Sequence, residues 1–253
     1  MRHTRRSTLA DSHDVAELHG AAAEHSPYLR HHFDTMEQQF DSSTLGMWVF
    51  LLTEIMFFGG MFCAYMIYRS MYPGAFASTS LHMEPFWGAT NTAVLIVSSL
   101  SMALAVRAAR LGQQKMLQLM LVVTIFFGLC FLGVKAIEYH QHWVDYKVPI
   151  SVPGLGSHWD YSNTDKFPNQ AQYAKQAQIL FCFYFFMTGF HAVHMIVGVG
   201  LMLTILVMAR KGTFSPSYFT PVEVSGLYWH FVDIVWIWLF PLLYLIGRTK
   251  SLI

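Results

Sequence analysis

Five apolar stretches alternate with polar connections along the chain: Thr44 to Tyr68, Phe86 to Ala108, Met116 to Gln141, Gln178 to Ala209 and Val222 to Gly247. A helix of about 20 residues crosses a hydrocarbon core of about 30 Å, and each stretch reaches that length. Runs this long are helices rather than strands. The pattern predicts an all-α integral membrane bundle of five transmembrane helices over residues 44–253, preceded by a polar tail over residues 1–43.

The tail opens Met1-Arg2-His3-Thr4-Arg5-Arg6 and continues without an apolar core segment, so it does not read as a secretory signal and is expected to stay in the mature chain. Six of the thirteen histidines lie in it (His3, His13, His19, His25, His31 and His32), at spacings that fit no compact metal site. A solvated tail is the expectation. The one long connection, about His142 to Ala177, carries three prolines and two glycines. Its aromatic and charged residues Trp143, Tyr146, Trp159, Asp160 and Tyr161 either fold back on the loop or meet a neighbouring subunit.

Composition narrows the picture to a membrane protein. Hydrophobic residues make up 54%, aromatic residues 16% and charged residues only 12%, which excludes an ordinary soluble enzyme. A formal net charge of +1 gives no field that calls for nucleic acid. Five spans place the termini on opposite sides. With the N-terminus inside, nine Lys and Arg residues face the cytoplasm and six face outward; without the distant Arg2, Arg5 and Arg6 the balance is six to six. Cys63, Cys130 and Cys182 stand singly in apolar runs, as small core residues do.

Ionisable residues inside the spans carry the remaining information, because each needs a protein partner in hydrocarbon. Lys135 and Glu138, three apart, share a helix face as an ion pair near the outer end of the third span, a structural role first and a proton relay second. His191 and His194 also share one turn. Two histidines on one turn cannot supply both axial ligands of a haem, so hydrogen bonds to other helices are the expected use. His230 and Asp233 repeat the spacing in the fifth span and should face protein. Glu54 is the most isolated charge, about 15 Å into the first span by helical rise, where burial favours the uncharged acid unless a cation or donor approaches. Asn91, Thr92, Ser98 and Ser99 line the second span with small polar groups suited to close helix packing. Trp48, Trp87, Trp143 and Trp229 are placed near span ends, with wet indole N–H groups.

These motifs resemble subunit III of the haem-copper respiratory oxidases, the cytochrome c oxidase subunit 3 family. The resemblance rests on Leu45-Gly46-Met47-Trp48, Thr53-Glu54-Ile55-Met56-Phe57, Asn91-Thr92 with Ser98-Ser99, Glu138-Tyr139, Thr188-Gly189-Phe190-His191 with His194 and Gly198, and the run from Tyr228 to Phe240. The matches occur in order over about residues 28–247. The resemblance implies an accessory subunit of a proton-pumping oxidase, with no catalytic residue and no metal of its own. Haem and copper would sit in partner subunits, while this chain packs on the catalytic subunit I, binds phospholipid and supports proton uptake and durability. It also implies that Glu54 matches the family's buried carboxylate, and that His191, His194, Glu223, His230 and Asp233 match its polar interior positions.

The fuller form of the subunit looks like seven helices, and the polar tail here replaces the first two, as in a shorter bacterial form. A lipid cleft between those two helices and the other five would then need helices from another subunit. The implied location is the bacterial cytoplasmic membrane, N-terminus inside and C-terminus outside, with further oxidase subunits and a respiratory supercomplex as wider partners. Electron entry from cytochrome c or quinol lies outside this chain, and a subunit of a nitric oxide reducing system is a lesser alternative. Two other classes stand behind these. A proton-coupled transporter would need an inverted repeat and broken helices that the sequence does not display. A membrane cytochrome would need a haem held by His194 and His230.

Overall fold

The computed structural model describes residues 28–80, 83–144, 147–152, 156–159 and 170–245. Two compact units divide the chain, Met1–Phe50 and Leu51–Ile253. Helices fill the described residues in the order α1 (Met36–Met71), α2 (Pro73–Ser80), α3 (Pro85–Arg110), α4 (Gln114–Val144), α5 (Gln170–Arg210) and α6 (Thr220–Phe240), the last continued by a π-helical turn, Pro241–Leu245. Five helical segments are long and apolar enough to cross a membrane: Met36–Met71, Pro85–Arg110, Gln114–Trp143, Lys175–Arg210 and Thr220–Leu245. The protein is an all-α membrane protein.

The helices run further than the apolar stretches. In the first unit α1 begins at Met36 rather than Thr44, because polar side chains cap it. Thr35 Oγ1 accepts the Gln38 N–H at 3.1 Å, and the Gln38 side chain reaches back to accept the Asp34 N–H at 2.9 Å. That exchange satisfies N–H groups that a helix start leaves without partners. Residues 36–43 are therefore helix and not tail; residues 1–27, with His3, His13, His19 and His25, lie outside the described residues.

The expected loop over residues 142–177 is largely replaced by regular structure. Helix α4 extends to Val144 and α5 starts at Gln170. Between them a small antiparallel hairpin pairs β1 (Lys147–Val152) with β2 (Gly156–Trp159), in a register that sets Ser151 opposite Ser157. Valine and isoleucine in β1 suit a strand better than a coil. Tyr146, Asp160 and Tyr161 lie outside the described residues.

Two tight turns at one end of the bundle share one device. Gly112 and Gly212 adopt φ of 69° and 70°. After α3, Gln113 N donates to Ala108 O and Gly112 N to Ala109 O; after α5, Thr213 N donates to Met208 O and Gly212 N to Ala209 O. This paired pattern ends a helix with its last carbonyls satisfied, and glycine adopts the left-handed backbone without a Cβ penalty. The two turns are also tied together. The Gln114 side-chain amide donates to Phe214 O, and Gln118 Nε2 donates to Ala209 O at 3.0 Å.

The core gathers around α6, whose buried face includes Trp229 and Trp236, both fully enclosed. Trp229 meets three helices. Its Nε1–H donates to Ser98 Oγ of α3 at 3.1 Å. A Cβ on Gly128 of α4 would lie 2.8 Å from its Cη2, and one on Gly198 of α5 would lie 3.1 Å from its Cε3. A Cβ at Gly128 would force a shift, and one at Gly198 would need Trp229 to give by a few tenths of an ångström. Trp236, two turns later, donates from Nε1 to Thr92 Oγ1 at 3.2 Å. Trp229 therefore does not sit with a wet indole at a span end: its ring is too large to leave between three helices unless its N–H is paired, and Ser98 pairs it.

Helix α1, over its residues in the second unit, docks by a narrow seam. Leu51, Phe58 and Tyr65, spaced by seven, are buried, while Leu52, Ile55, Met56 and Ile67 stay exposed. A seven-residue repeat brings one side chain per two turns back to the same line. Tyr65 ends the seam by donating its hydroxyl to Leu242 O at 2.9 Å. That carbonyl lies in the π-helical turn, where Pro241 has removed a backbone donor and interrupted the regular ladder.

Candidate polar interior of the membrane domain

Four polar groupings lie inside the bundle, each built by side chains from different helices. The most enclosed surrounds Lys135 and Glu138 of α4, both almost fully buried. Lys135 Nζ donates to Glu138 Oε2 at 2.8 Å and to the hydroxyls of Tyr184 and Tyr244, each at 3.1 Å. Both tyrosines in turn donate to Glu138 Oε1, at 2.7 and 2.5 Å. The ammonium's three donors are all used, and the carboxylate accepts three bonds. The rings of Tyr139 and Trp236 lie 5.3 and 5.1 Å from Nζ, which adds cation–π attraction. A buried pair repays its desolvation only when its remaining donors and acceptors are satisfied in this way.

The second grouping joins α1 to α5. His194 Nε2 lies 3.1 Å from Glu54 Oε2, with Nδ1 2.8 Å from Phe190 O of its own helix. Because the Phe190 carbonyl can only accept, Nδ1 carries a proton. Glu54 is therefore not isolated: its partner comes from 140 positions along the chain, beyond any spacing rule. Phe58 packs its ring edge against His194, and Phe57 against Phe190, shielding the pair.

A hydroxyl seam joins α3 to α4. Ser101 Oγ bonds Ser98 O and lies 2.7 Å from Thr124 Oγ1, while Thr124 Oγ1 bonds Met120 O at 2.9 Å. Ser98 contributes Oγ to both Thr124 O and the Trp229 indole. Thr92 Oγ1 bonds Gly88 O and accepts from Trp236. Small hydroxyls that bond locally let the backbones approach. Asn91, expected to bond across this interface, is fully buried with both amide atoms unpartnered.

The fourth grouping spans α3 and α6. Ser99 Oγ lies 2.7 Å from His230 Nδ1, so the histidine engages a serine rather than Asp233. Toward the α3 C-terminus, Arg110 holds Glu223 through two bonds of 2.6 and 3.2 Å. Asp233 is 3% exposed and neither of its oxygens has a hydrogen-bond partner among the described residues. His191 also departs from expectation. Among the described residues neither of its nitrogens finds a hydrogen-bond partner, and its ring lies near Phe131 and Trp236 at centroid distances of 5.4 and 5.1 Å. Burial among aromatic rings, rather than a polar neighbour, sets its place. Gly198 matters through what it lacks, a Cβ that would crowd Trp229 at 3.1 Å. Among the described residues no three His, Cys, Asp or Glu side chains gather as a metal-holding group.

The geometry defines an integral membrane protein whose embedded charges mostly neutralise one another. The family model for cytochrome c oxidase subunit III matches residues 21–152 and 169–248, most of the chain. Among similar proteins, cytochrome c oxidase subunit 3 of Thermostichus vulcanus is 32% identical over 82% of this chain and 89% of its own length. The Synechocystis cytochrome c oxidase subunit 3 is 33% identical over 81% of this chain and 76% of its own. Quinol oxidase subunit 3 of Bacillus subtilis is 26% identical over 80% and 86% respectively. The chain belongs to the cytochrome c oxidase subunit III family, within the haem-copper oxidases, and forms part of an oxidoreductase complex with other subunits.

Breaking the Lys135 cluster from one side leaves a buried charge behind. Lys135→Met should lower stability by about 3 to 5 kcal/mol, while adding Glu138→Leu to it should restore part of the loss. Thermal unfolding of the purified complex in a double-mutant cycle measures this. Strictly additive losses would show that the two residues do not act as a pair.

Proposed function

We propose that the chain is an accessory subunit without a redox centre, which packs on the catalytic subunit I of its oxidase and stabilises it during oxygen reduction to water. One observation carries this reading: Glu54 with His194, Lys135 with Glu138 and Arg110 with Glu223 each close on one another inside the chain. Groups bonded to one another in this way hold helices together and are not free to ligate a haem. Haem and copper then belong to partner subunits, and phospholipid fills the exposed apolar faces such as Leu52, Ile55 and Met56 of α1. Electrons reach the complex from cytochrome c, the donor of the more identical relatives; a quinol donor is the second reading, favoured by the likeness to the quinol oxidase subunits.

The proposed orientation is that implied by the family resemblance, N-terminus inside a bacterial cytoplasmic membrane, which puts the α3–α4 and α5–α6 connections, with Arg107, Arg110, Lys115, Arg210 and Lys211 beside them, at the cytoplasmic end. The Lys and Arg residues near the spans, six on each side over the full sequence, favour neither direction.

Mild-detergent purification through a C-terminal tag, with reduced-minus-oxidised spectra, tests the assignment. Haem signals should travel with a larger partner and vanish from the tagged chain once the two are dissociated. Haem retained by the isolated chain would overturn the reading. For the orientation, Lys211→Cys should react with an impermeant maleimide in inverted vesicles and not in right-side-out ones; the opposite accessibility reverses the assignment.

A further inference from the structure

Among the embedded carboxylates of the second unit, Glu54, Glu138 and Glu223 each have a hydrogen-bond partner, and neither oxygen of Asp233 meets one at hydrogen-bonding geometry among the described residues. Asp233 opens onto a groove of about 300 Å³ between α3 and α6. Its polar floor is Asp233, His230 and Ser99; its walls are Leu100, Ile234 and Ile237, all exposed. The Ser99 hydroxyl, the polar neighbour of Asp233, is in bonding contact with His230. The groove thus joins an apolar rim to a buried acceptor, and leaving such a group unpaired costs about 1 to 3 kcal/mol or more.

Depth decides what can fill it. Asp233 lies 13 residues beyond Thr220 and 12 before Leu245, about 20 Å from either end of the span by helical rise. That is close to the bilayer midplane. Phospholipid head groups do not reach this depth, and acyl chains carry no N–H or O–H. A second groove, lined by Arg107, Arg110 and Glu223, shares Ala103 and His230 with the first and continues it toward the membrane surface. A helix lying along α3 and α6 would follow this line and could present one donor at the level of Asp233.

We propose that the α3–α6 groove seats a transmembrane helix of the catalytic oxidase subunit, which donates a hydrogen bond from a neutral side chain such as serine, threonine, asparagine or tryptophan to the Asp233 carboxyl. The proposal rests on the accessory-subunit reading and adds to it the face and the contact used for docking. The partner helix completes the polar cluster of Asp233, His230 and Ser99.

The test places photoreactive benzoylphenylalanine at Ile237 in the full complex, irradiated in native membranes before detergent is added. The expected product is an adduct with the haem-bearing subunit. If the tagged chain still purifies with haem but the adduct is with lipid or with a second copy of the chain, the groove assignment falls and the accessory-subunit reading survives. If no haem-bearing partner purifies, that reading falls with it. A second measurement compares dissociation of Asp233→Leu and Asp233→Asn complexes. Asp233→Leu should leave its partner about tenfold faster, and Asp233→Asn, which keeps an acceptor oxygen, should stay near wild type. Equal dissociation of Asp233→Leu and wild type would overturn the proposal even if Ile237 forms the expected adduct.

Discussion

The seat of Trp229 is the constraint on which the helix arrangement depends. Hydrocarbon gives no hydrophobic reward for bringing helices together, so packing and interhelical hydrogen bonds must do it. The Trp229 indole supplies both, filling space left by Gly128 and Gly198 while its N–H reaches Ser98. With α6 held against α3, α4 and α5, Trp236 lies beside Lys135 and His191, and Tyr244 reaches Glu138. The charged cluster is a consequence of that packing as much as a cause of it.

Function follows from where polarity is spent and where it is left over. Lys135 and Glu138 use every strong bond they can make inside the chain, which suits a rigid scaffold. Glu54 and His194 attach the narrow seam of α1 to α5. An accessory subunit needs this internal closure, because its service to the complex is to persist in one shape while chemistry proceeds elsewhere. Asp233, like Asn91 and His191, finds no hydrogen-bond partner among the described residues, but it alone of the three is a carboxyl lining a groove, and the proposed docking of a partner helix rests on it.

Local spacing made part of this legible. Apolar runs marked all five spans, and a separation of three residues put Lys135 and Glu138 on one face. What stayed hidden was long-range. Tyr184 and Tyr244 lie 46 and 106 positions from Glu138, and no periodicity joins them to it. The Glu54 charge looked alone because its partner arrives from another helix. Gly128 gave no signal at all, since a glycine in an apolar helix reads the same whether it faces lipid or an indole. Trp229 was misplaced because tryptophans favour span ends as a class, whereas packing decided this one. The two extra helical turns before Thr44 are marked by Thr35 and Gln38, polar residues that hydropathy alone passes over.

Glycines of one helix separate the packing account from its rivals. Gly128 and Gly133 both lie in α4, but a Cβ at Gly133 would meet nothing within 4 Å. Alanine favours a helix over glycine by up to about 1 kcal/mol, so without tertiary contacts both substitutions should stabilise. The decisive measurement is the melting temperature of the intact complex carrying Gly128→Ala or Gly133→Ala. The account predicts a clear fall for Gly128→Ala, whose new methyl meets Trp229 at 2.8 Å, and no fall for Gly133→Ala. Equal melting of the two variants, or a fall confined to Gly133→Ala, would contradict the central place given to Trp229.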